Sequence, residues 1–377
     1  MITGEYPPQT GGVSDYSRLV ANGLAAEGDT VHIYAPAIRA NEYLDDGIEI
    51  HRLPGHFEPQ SLGRLGRELH SLTGDVADEI VLVQYVPHAL GFKAMNVPFC
   101  AWLYALSRSR RRIMVMFHEA TVPWRSGQPI KLQVLALVTA LMAMLMARAA
   151  SVIFVAIPAW KERLARFAGN TQMKWMPVPS NVPVAEDADA IAAKRRELNA
   201  KTIIGHFGTN ENSISRLLNL VIPQLLEALP DAKLLLIGRD SAALKEIISQ
   251  AKPAIVNRIY ATGGLPEKSA SVALSSCDLM LQPYPDGVST RRGSVMAALA
   301  HQRAVVTTAG AFTEPLWSES PAVALAGVGD DRAICAEVKR LTMDEFERRT
   351  IALSGKRLYD KRFALRHTIE ALRASAR

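Results

Sequence analysis

The chain has 377 residues, 49% of them apolar and 21% charged, which is the balance of a folded protein of two domains and excludes long disorder. Aromatic residues make up only 6% while Ala, Leu, Val and Ile abound, so helices packed on buried parallel strands fit better than an all-β sandwich. The net charge is +6, yet no aromatic residues interleave the cations as in a nucleic-acid platform. The three cysteines (Cys100, Cys277 and Cys335) lack the spacing of a zinc knuckle or a disulfide framework, which fits a reducing cytosol.

At the amino end no basic segment precedes an apolar one, so a secretory leader is not expected. Only Met1-Ile2-Thr3 precede Gly4-Glu5-Tyr6-Pro7-Pro8-Gln9-Thr10-Gly11-Gly12-Val13, so the central strand before this loop is unusually short or the numbering starts late. Gly11 and Gly12, ahead of a predicted helix at 15–27, let the backbone approach a ligand at a helix N-terminus. They do not form Gly-x-Gly-x-x-Gly, which argues against a nicotinamide enzyme. Further strands are predicted at 31–35, 48–53, 80–84, 113–117 and 152–156, with helices at 62–72, 95–107, 131–148 and 158–168. Arg108, Arg110, Arg111 and Arg112 form the densest basic cluster, read as a solvated helix end or as a patch for anionic lipid or a phosphorylated acceptor. The apolar run 132–147 would make a helix of about 24 Å against a hydrocarbon core of ~30 Å. It is expected to be buried or to lie at a membrane interface, beside the basic cluster, rather than to span. Phe117-His118-Glu119 closes a predicted strand, where open parallel sheets hold ligands, and lacks the second histidine of a zinc protease.

The prolines of Pro177-Val178-Pro179-Ser180-Asn181-Val182-Pro183 stop a sheet and stiffen a crossing. They set the expected division: a first domain at 1–179, a linker at 180–200, a second domain at 201–343 and terminal helices at 344–377. Asp187-Ala188-Asp189 has no strand before it and reads as polar linker rather than as a metal-binding pair. Strands are predicted at 202–207, 233–237, 258–261, 279–281, 304–307 and 322–325, alternating with helices at 214–228, 242–250, 267–275, 294–300 and 331–341. The most informative run is Pro283-Tyr284-Pro285-Asp286-Gly287-Val288-Ser289-Thr290-Arg291-Arg292-Gly293-Ser294. Two hydroxyls, two arginines and two glycines ahead of a helix make a diphosphate clamp, because arginines bind phosphate bidentately and the helix end adds field.

In order, these pieces resemble the retaining glycosyltransferases of family 4, the glycosyl transferases group 1 type. The loop from Gly4 to Val13 resembles that family's amino-terminal donor-facing loop, and Phe117-His118-Glu119 its histidine-bearing strand end. Ile237-Gly238-Arg239 resembles the glycine turn after the second donor-domain strand, and Ala261-Thr262-Gly263-Gly264-Leu265-Pro266 the loop that cups the base. The resemblance implies an α/β protein of GT-B fold, with two Rossmann-like doubly wound domains facing each other across a cleft. It implies transfer of a sugar from a nucleotide-sugar donor to a glycan, lipid-linked or small-molecule acceptor, with retention. No metal and no cofactor beyond the donor, a co-substrate, are expected. His118, Arg291 and Arg292 would be the catalytic residues, His118 touching the donor sugar and the arginines neutralising the diphosphate. Asp286, Gly287, Ser289, Thr290, Gly208, Thr209, Arg216, Arg239 and Leu265 would line the donor, with Gly11 and Gly12 closing on it from the first domain. Tyr16 and Glu119 would face the acceptor. The implied setting is polysaccharide biosynthesis in the cytoplasm or, peripherally, at the inner face of the cell membrane, without nucleic acid.

Two departures mark a divergent branch. Ser289 and Ala297 stand where the family carries two glutamates eight positions apart, and Gly208-Thr209-Asn210-Glu211-Asn212-Ser213 lacks its arginine and lysine. Arg216, Arg291 and Arg292 are the candidates to supply that charge. Two other readings fit such losses: a catalytically degenerate nucleotide-sugar-binding subunit, and a GT-B-type sugar-nucleotide epimerase.

Overall fold

The computed structural model describes the chain apart from residues 39–46, 73–78, 110, 210–211 and 377. It divides into two units, Met1–Pro177 with Leu365–Arg377, and Val178–Ala364.

In the first unit the strands β1 (Ile2–Thr3), β2 (Val31–Pro36), β3 (Ile48–Leu53), β4 (Ile80–Tyr85), β5 (Arg112–Phe117), β6 (Val152–Val155) and β7 (Gln172–Trp175) form one sheet. All neighbours are parallel, in the order β3-β2-β1-β4-β5-β6-β7. The order reverses between β1 and β4, and ligands of such sheets sit beyond the strand ends at that point. With only two residues, β1 still pairs on both sides, Ile2 with Tyr34 and with Val83. The helices are α1 (Gly12–Ala26), α2 (Pro59–Ser71), α3 (Val97–Leu106), α4 (Ile130–Ala149) and α5 (Pro158–Ala168), and α14 (Leu365–Ala376) joins them from the far end of the chain.

The second unit repeats the plan. Strands β8 (Thr202–Phe207), β9 (Ala232–Ile237), β10 (Ile259–Ala261), β11 (Leu279–Gln282), β12 (Ala304–Ala309) and β13 (Ala324–Gly327) lie parallel in the order β10-β9-β8-β11-β12-β13, so the reversal falls between β8 and β11. Helices α6 (Ala188–Leu198), α7 (Asn212–Ala228), α8 (Ser241–Ala251), α9 (Glu267–Ser276), α10 (Gly293–Ala300), α11 (Leu316–Glu319), α12 (Asp331–Met343) and α13 (Glu345–Arg362) flank the sheet. Central strands such as β11, Leu-Met-Leu-Gln, are buried at every position, the signature of a sheet covered on both faces.

Several elements differ from the sequence reading. β7 reads Gln-Met-Lys-Trp at a sheet edge, half exposed, and offers no apolar run to detect. The stretch expected as linker contains α6, whose Ala, Lys, Arg and Glu favour helix. Asp187 caps it, accepting from the Ala190 amide at 3.0 Å and pairing with Lys268. α14 packs on α1, a long-range return that periodicity cannot reveal; Gly23 in α1 leaves the space that Ile369 fills.

Two of the four arginines of the basic cluster are consumed by the fold, while Arg108 stays exposed. Arg111 pairs with Glu79 and donates to the Leu69 carbonyl, Arg112 donates to the Ala376 carbonyl, and Arg110 lies outside the described residues. Those two guanidinium groups are satisfied by internal acceptors and are not available to a lipid surface. α4 is 20 residues long, about 30 Å, so length no longer separates the spanning and packed readings. Only 33% of its most apolar window is buried: Met142, Ala143, Met146 and Ala147 are covered, with α3 and α5 against the helix, while Ile130, Val134, Leu137 and Leu141 are exposed.

Candidate active site

In the second unit the loop after β11 runs through Tyr284 to Arg292 and feeds directly into α10. It therefore lies at the β8/β11 reversal, where the first amides of a helix are free of intrahelical partners. Threonines of β12 brace it. Thr307 Oγ1 donates to the Gln282 carbonyl at 2.6 Å, Thr308 Oγ1 to the Tyr284 carbonyl at 2.6 Å, and the Val288 amide to the Thr308 carbonyl at 2.7 Å. Gly287 is left-handed at φ 86°, and a Cβ there would meet the Gly310 amide nitrogen at 2.3 Å, so the chain needs glycine for both conformation and space.

Arg291 and Arg292 both form ion pairs with Asp286, which gathers two positive charges on one carboxylate. Arg292 also lies over the Tyr284 ring at 4.5 Å, and Arg291 over Phe312 at 5.4 Å. The Tyr284 hydroxyl is 2.7 Å from Ser294 Oγ, tying the loop to the start of α10. Ser289 Oγ is fully buried and has no hydrogen-bond partner among the described residues. Thr290 is engaged otherwise: its amide and hydroxyl both donate to Glu314, at 2.9 and 2.5 Å, and Trp317 Nε1 donates to the second carboxylate oxygen at 2.8 Å. Burial raises the Glu314 pKa while these hydrogen bonds pull the other way. Glu314 was not legible as a site residue, because no motif surrounds it and its partner lies 24 positions away.

The other expected donor residues fall at neighbouring strand ends. Gly208 follows β8 with φ 146°, and its Cβ position lies 3.7 Å from Ser294. Thr209, next along, is exposed. A Cβ on Gly238, after β9, would meet the Gly208 carbonyl oxygen at 2.3 Å, so these two turns touch backbone to backbone. Arg239 is exposed with its stem against Gly264, and Leu265 is half-buried on the core. Arg216 is exposed on α7, and Asn210 and Glu211 before that helix lie outside the described residues.

In the first unit His118 stands immediately beyond β5, with 8% of its surface exposed. Its Nε2 lies 2.9 Å from Gln84 Oε1, its amide donates to the Tyr85 carbonyl, and its carbonyl accepts from Trp160 Nε1 at 2.9 Å. Burial pushes its pKa down to about 3, so the imidazole is neutral at ordinary pH. Because Gln84 Oε1 is an acceptor, Nε2 carries the proton and Nδ1 keeps its lone pair. Tyr16, on α1, meets the ring edge-on at 4.7 Å, and its buried hydroxyl has no hydrogen-bond partner among the described residues. Glu119 is half-buried. Gln84, at the end of an otherwise apolar strand, carried a signal that the sequence reading passed over.

Gly11 and Gly12 open α1 but are not equivalent. A Cβ on Gly11 would meet Glu5 Oε2 at 2.3 Å, whereas one on Gly12 meets nothing within 4 Å. The Glu5 carboxylate, raised in pKa chiefly by burial, therefore occupies the space above Gly11.

Residues 201–344 match the family described as glycosyl transferases group 1. The loop from Tyr284 to Arg292 and the helix α10 fall inside the matched segment, as do Gly208, Arg239 and Glu314. The whole fold is GT-B. Sucrose-phosphate synthase from Thermosynechococcus elongatus aligns at TM-score 0.73 and 16% identity, covering 98% of this chain and 93% of that one. HepE from Anabaena, in complex with UDP and glucose, aligns at 0.72 and 16%, covering 98% and 97%. WaaG, a glycosyltransferase involved in lipopolysaccharide biosynthesis, aligns at 0.68 and 11%, covering 97% of each. No curated protein sequence matches the chain.

Proposed function

We propose that the protein is a glycosyltransferase that moves a sugar from a nucleotide-sugar donor onto a glycan, lipid-linked or small-molecule acceptor, with retention and without a catalytic metal. The observation that carries this reading is the braced loop bearing Asp286, Arg291 and Arg292 at the β8/β11 reversal, inside the segment that matches the glycosyltransferase family. A departing nucleoside diphosphate needs positive charge and oriented amides, and preorganised charge of that kind is the electrostatic mode of catalysis. Arg291 and Arg292 exchange Asp286 for phosphate oxygens on donor binding, and the partnerless Ser289 hydroxyl supplies a further hydrogen bond. His118, neutral and held by Gln84, accepts through Nδ1 from a hydroxyl of the donor sugar. Gly208, Thr209, Arg216, Arg239 and Leu265 complete the donor side, while Tyr16 and Glu119 serve the acceptor.

A second part of the proposal concerns where the acceptor resides. Ile130, Val134, Leu137 and Leu141 follow helical spacing and are exposed on α4, with Leu132, Trp124, Arg125 and Lys131 exposed near its start. Apolar side chains, an interfacial tryptophan and two cations favour an anionic membrane surface, consistent with peripheral attachment at the cytoplasmic face and with polysaccharide assembly. Leu137→Asp should reduce co-flotation with anionic liposomes; absence of co-flotation by the unaltered chain defeats this part alone.

HepE binds UDP and glucose in its solved structure, so UDP-sugars head the panel of donors to test. One nucleotide sugar should raise the melting temperature of the purified chain and release its nucleoside diphosphate when an acceptor is supplied. A panel giving neither effect overturns the reading. Stabilisation without release favours the degenerate binding subunit, and a rearranged sugar nucleotide favours the epimerase.

A further inference from the structure

A cluster in the first unit lies outside the site described above. β2 and β3 pair so that His32 stands opposite Glu49 and Tyr34 opposite His51. Alternate strand residues share a face, so His32, Glu49 and His51 project together at this edge of the sheet. Their polar atoms converge: His32 Nδ1 lies 3.1 Å from His51 Nε2 and 3.3 Å from Glu49 Oε2, and His51 Nε2 lies 3.4 Å from Glu49 Oε1.

No placement of protons on two neutral imidazoles satisfies all three contacts. If both nitrogens carry hydrogen, two N–H groups face each other at 3.1 Å. If either lacks it, a nitrogen lone pair faces a carboxylate oxygen. A cation at the centre satisfies three lone pairs at once. The spacing suits one, since ligand atoms bound at ~2.0–2.1 Å around a tetrahedral ion stand ~3.3–3.4 Å apart.

We propose that His32, Glu49 and His51 bind a divalent transition metal ion, with zinc the best match to two imidazoles, one carboxylate and an open fourth position. The surroundings support the assignment. Tyr34 stacks on the His51 ring at 4.5 Å and 13°, fixing its orientation. Glu68 on α2 is anchored by Arg64 through Oε1 at 2.5 Å, while its Oε2 has no hydrogen bond among the described residues and lies 3.9 Å from His51 Nδ1. A carboxylate beside the far nitrogen of a ligating histidine is the usual outer support of such sites, and Glu68 stands on that side, within ion-pair reach but beyond a hydrogen bond. The ion clips edge strand β3 to β2 and takes no part in the proposed sugar transfer.

The test uses the full chain, freed of any polyhistidine tag, stripped with chelator and titrated with Co²⁺ and Zn²⁺. The proposal predicts one-to-one binding, visible absorption bands of nitrogen-ligated Co²⁺, and a Tm rise of about 5–10 °C at a hundredfold excess of Zn²⁺ over Kd. His51→Ala should abolish binding. Glu49 is 66% exposed, so Glu49→Gln should keep the fold and yet weaken binding at least tenfold, and Glu68→Gln should weaken it ~10–100-fold. Absence of one-to-one binding by the unaltered chain, or unchanged affinity in Glu49→Gln, overturns the proposal.

Discussion

At the reversal of the second sheet, Asp286, Arg291 and Arg292 hold three charges in one loop; at the end of β5 in the first unit, His118 is surrounded by Gln84, Tyr16 and Trp160, all uncharged. The two units share a strand order yet arm it in opposite ways. Charge that meets a leaving diphosphate has to be stored where a counter-carboxylate can hold it. A group that orients a neutral sugar works better buried and uncharged, where its hydrogen bonds are not contested by water.

The largest effect should come from the group that shapes the charged loop. Glu314→Ala leaves the Thr290 amide, the Thr290 hydroxyl and the Trp317 indole without their acceptor, so ~2–4 kcal/mol of stability should go, together with donor binding. Chemical denaturation measures it, and an unchanged midpoint would show that the loop does not depend on this brace. At the uncharged end, His118→Ala should keep donor affinity while turnover falls about a hundredfold. Unchanged turnover there, with Glu119→Ala inactive, would reverse the assignment of those two neighbours.

The glycines give a finer contrast. Gly11→Ala drives a Cβ into the Glu5 carboxylate and should destabilise the first unit by ~1–3 kcal/mol, whereas Gly12→Ala meets open space and should be near neutral. Equal melting temperatures for the two variants would remove Glu5 from above Gly11. Per unit, the smallest effect is with pH. His118 has a folded pKa of about 3, below the ~6.5 of an unfolded histidine, so the unfolded chain takes up the proton first. The stability tied to this residue is full above pH ~6.5 and falls by at most ~1.4 kcal/mol per unit as pH drops from there towards 3. His118→Gln should flatten that part of the stability profile; an unaltered slope would mean that other groups set it.

Much of the plan was legible because buried parallel strands write themselves as short apolar runs and helices as periodic ones. Among the described residues eleven strands stood out in this way; β1, two residues long, was expected only from the loop that follows it, and β7, a half-exposed edge, was missed. The loop from Pro283 to Ser294 stood out because hydroxyls, arginines and glycines seldom cluster between apolar runs without a task. The Asp286 ion pairs, the Glu314 brace and the His32–Glu49–His51 cluster did not, since each depends on contacts that only the folded chain makes. Arg111 and Arg112 show the reverse failure: a dense basic run in sequence became internal hydrogen bonds in the fold.

The central claim, that the arginines of the second unit hold a nucleoside diphosphate, is tested most directly by calorimetric titration of nucleoside diphosphates into the unaltered chain and into Arg291→Ala and Arg292→Ala. Each variant should keep its fold and lose ~1.5–3 kcal/mol of binding, roughly ten- to more than hundredfold in affinity. Affinity equal to that of the unaltered chain in both variants would contradict the account.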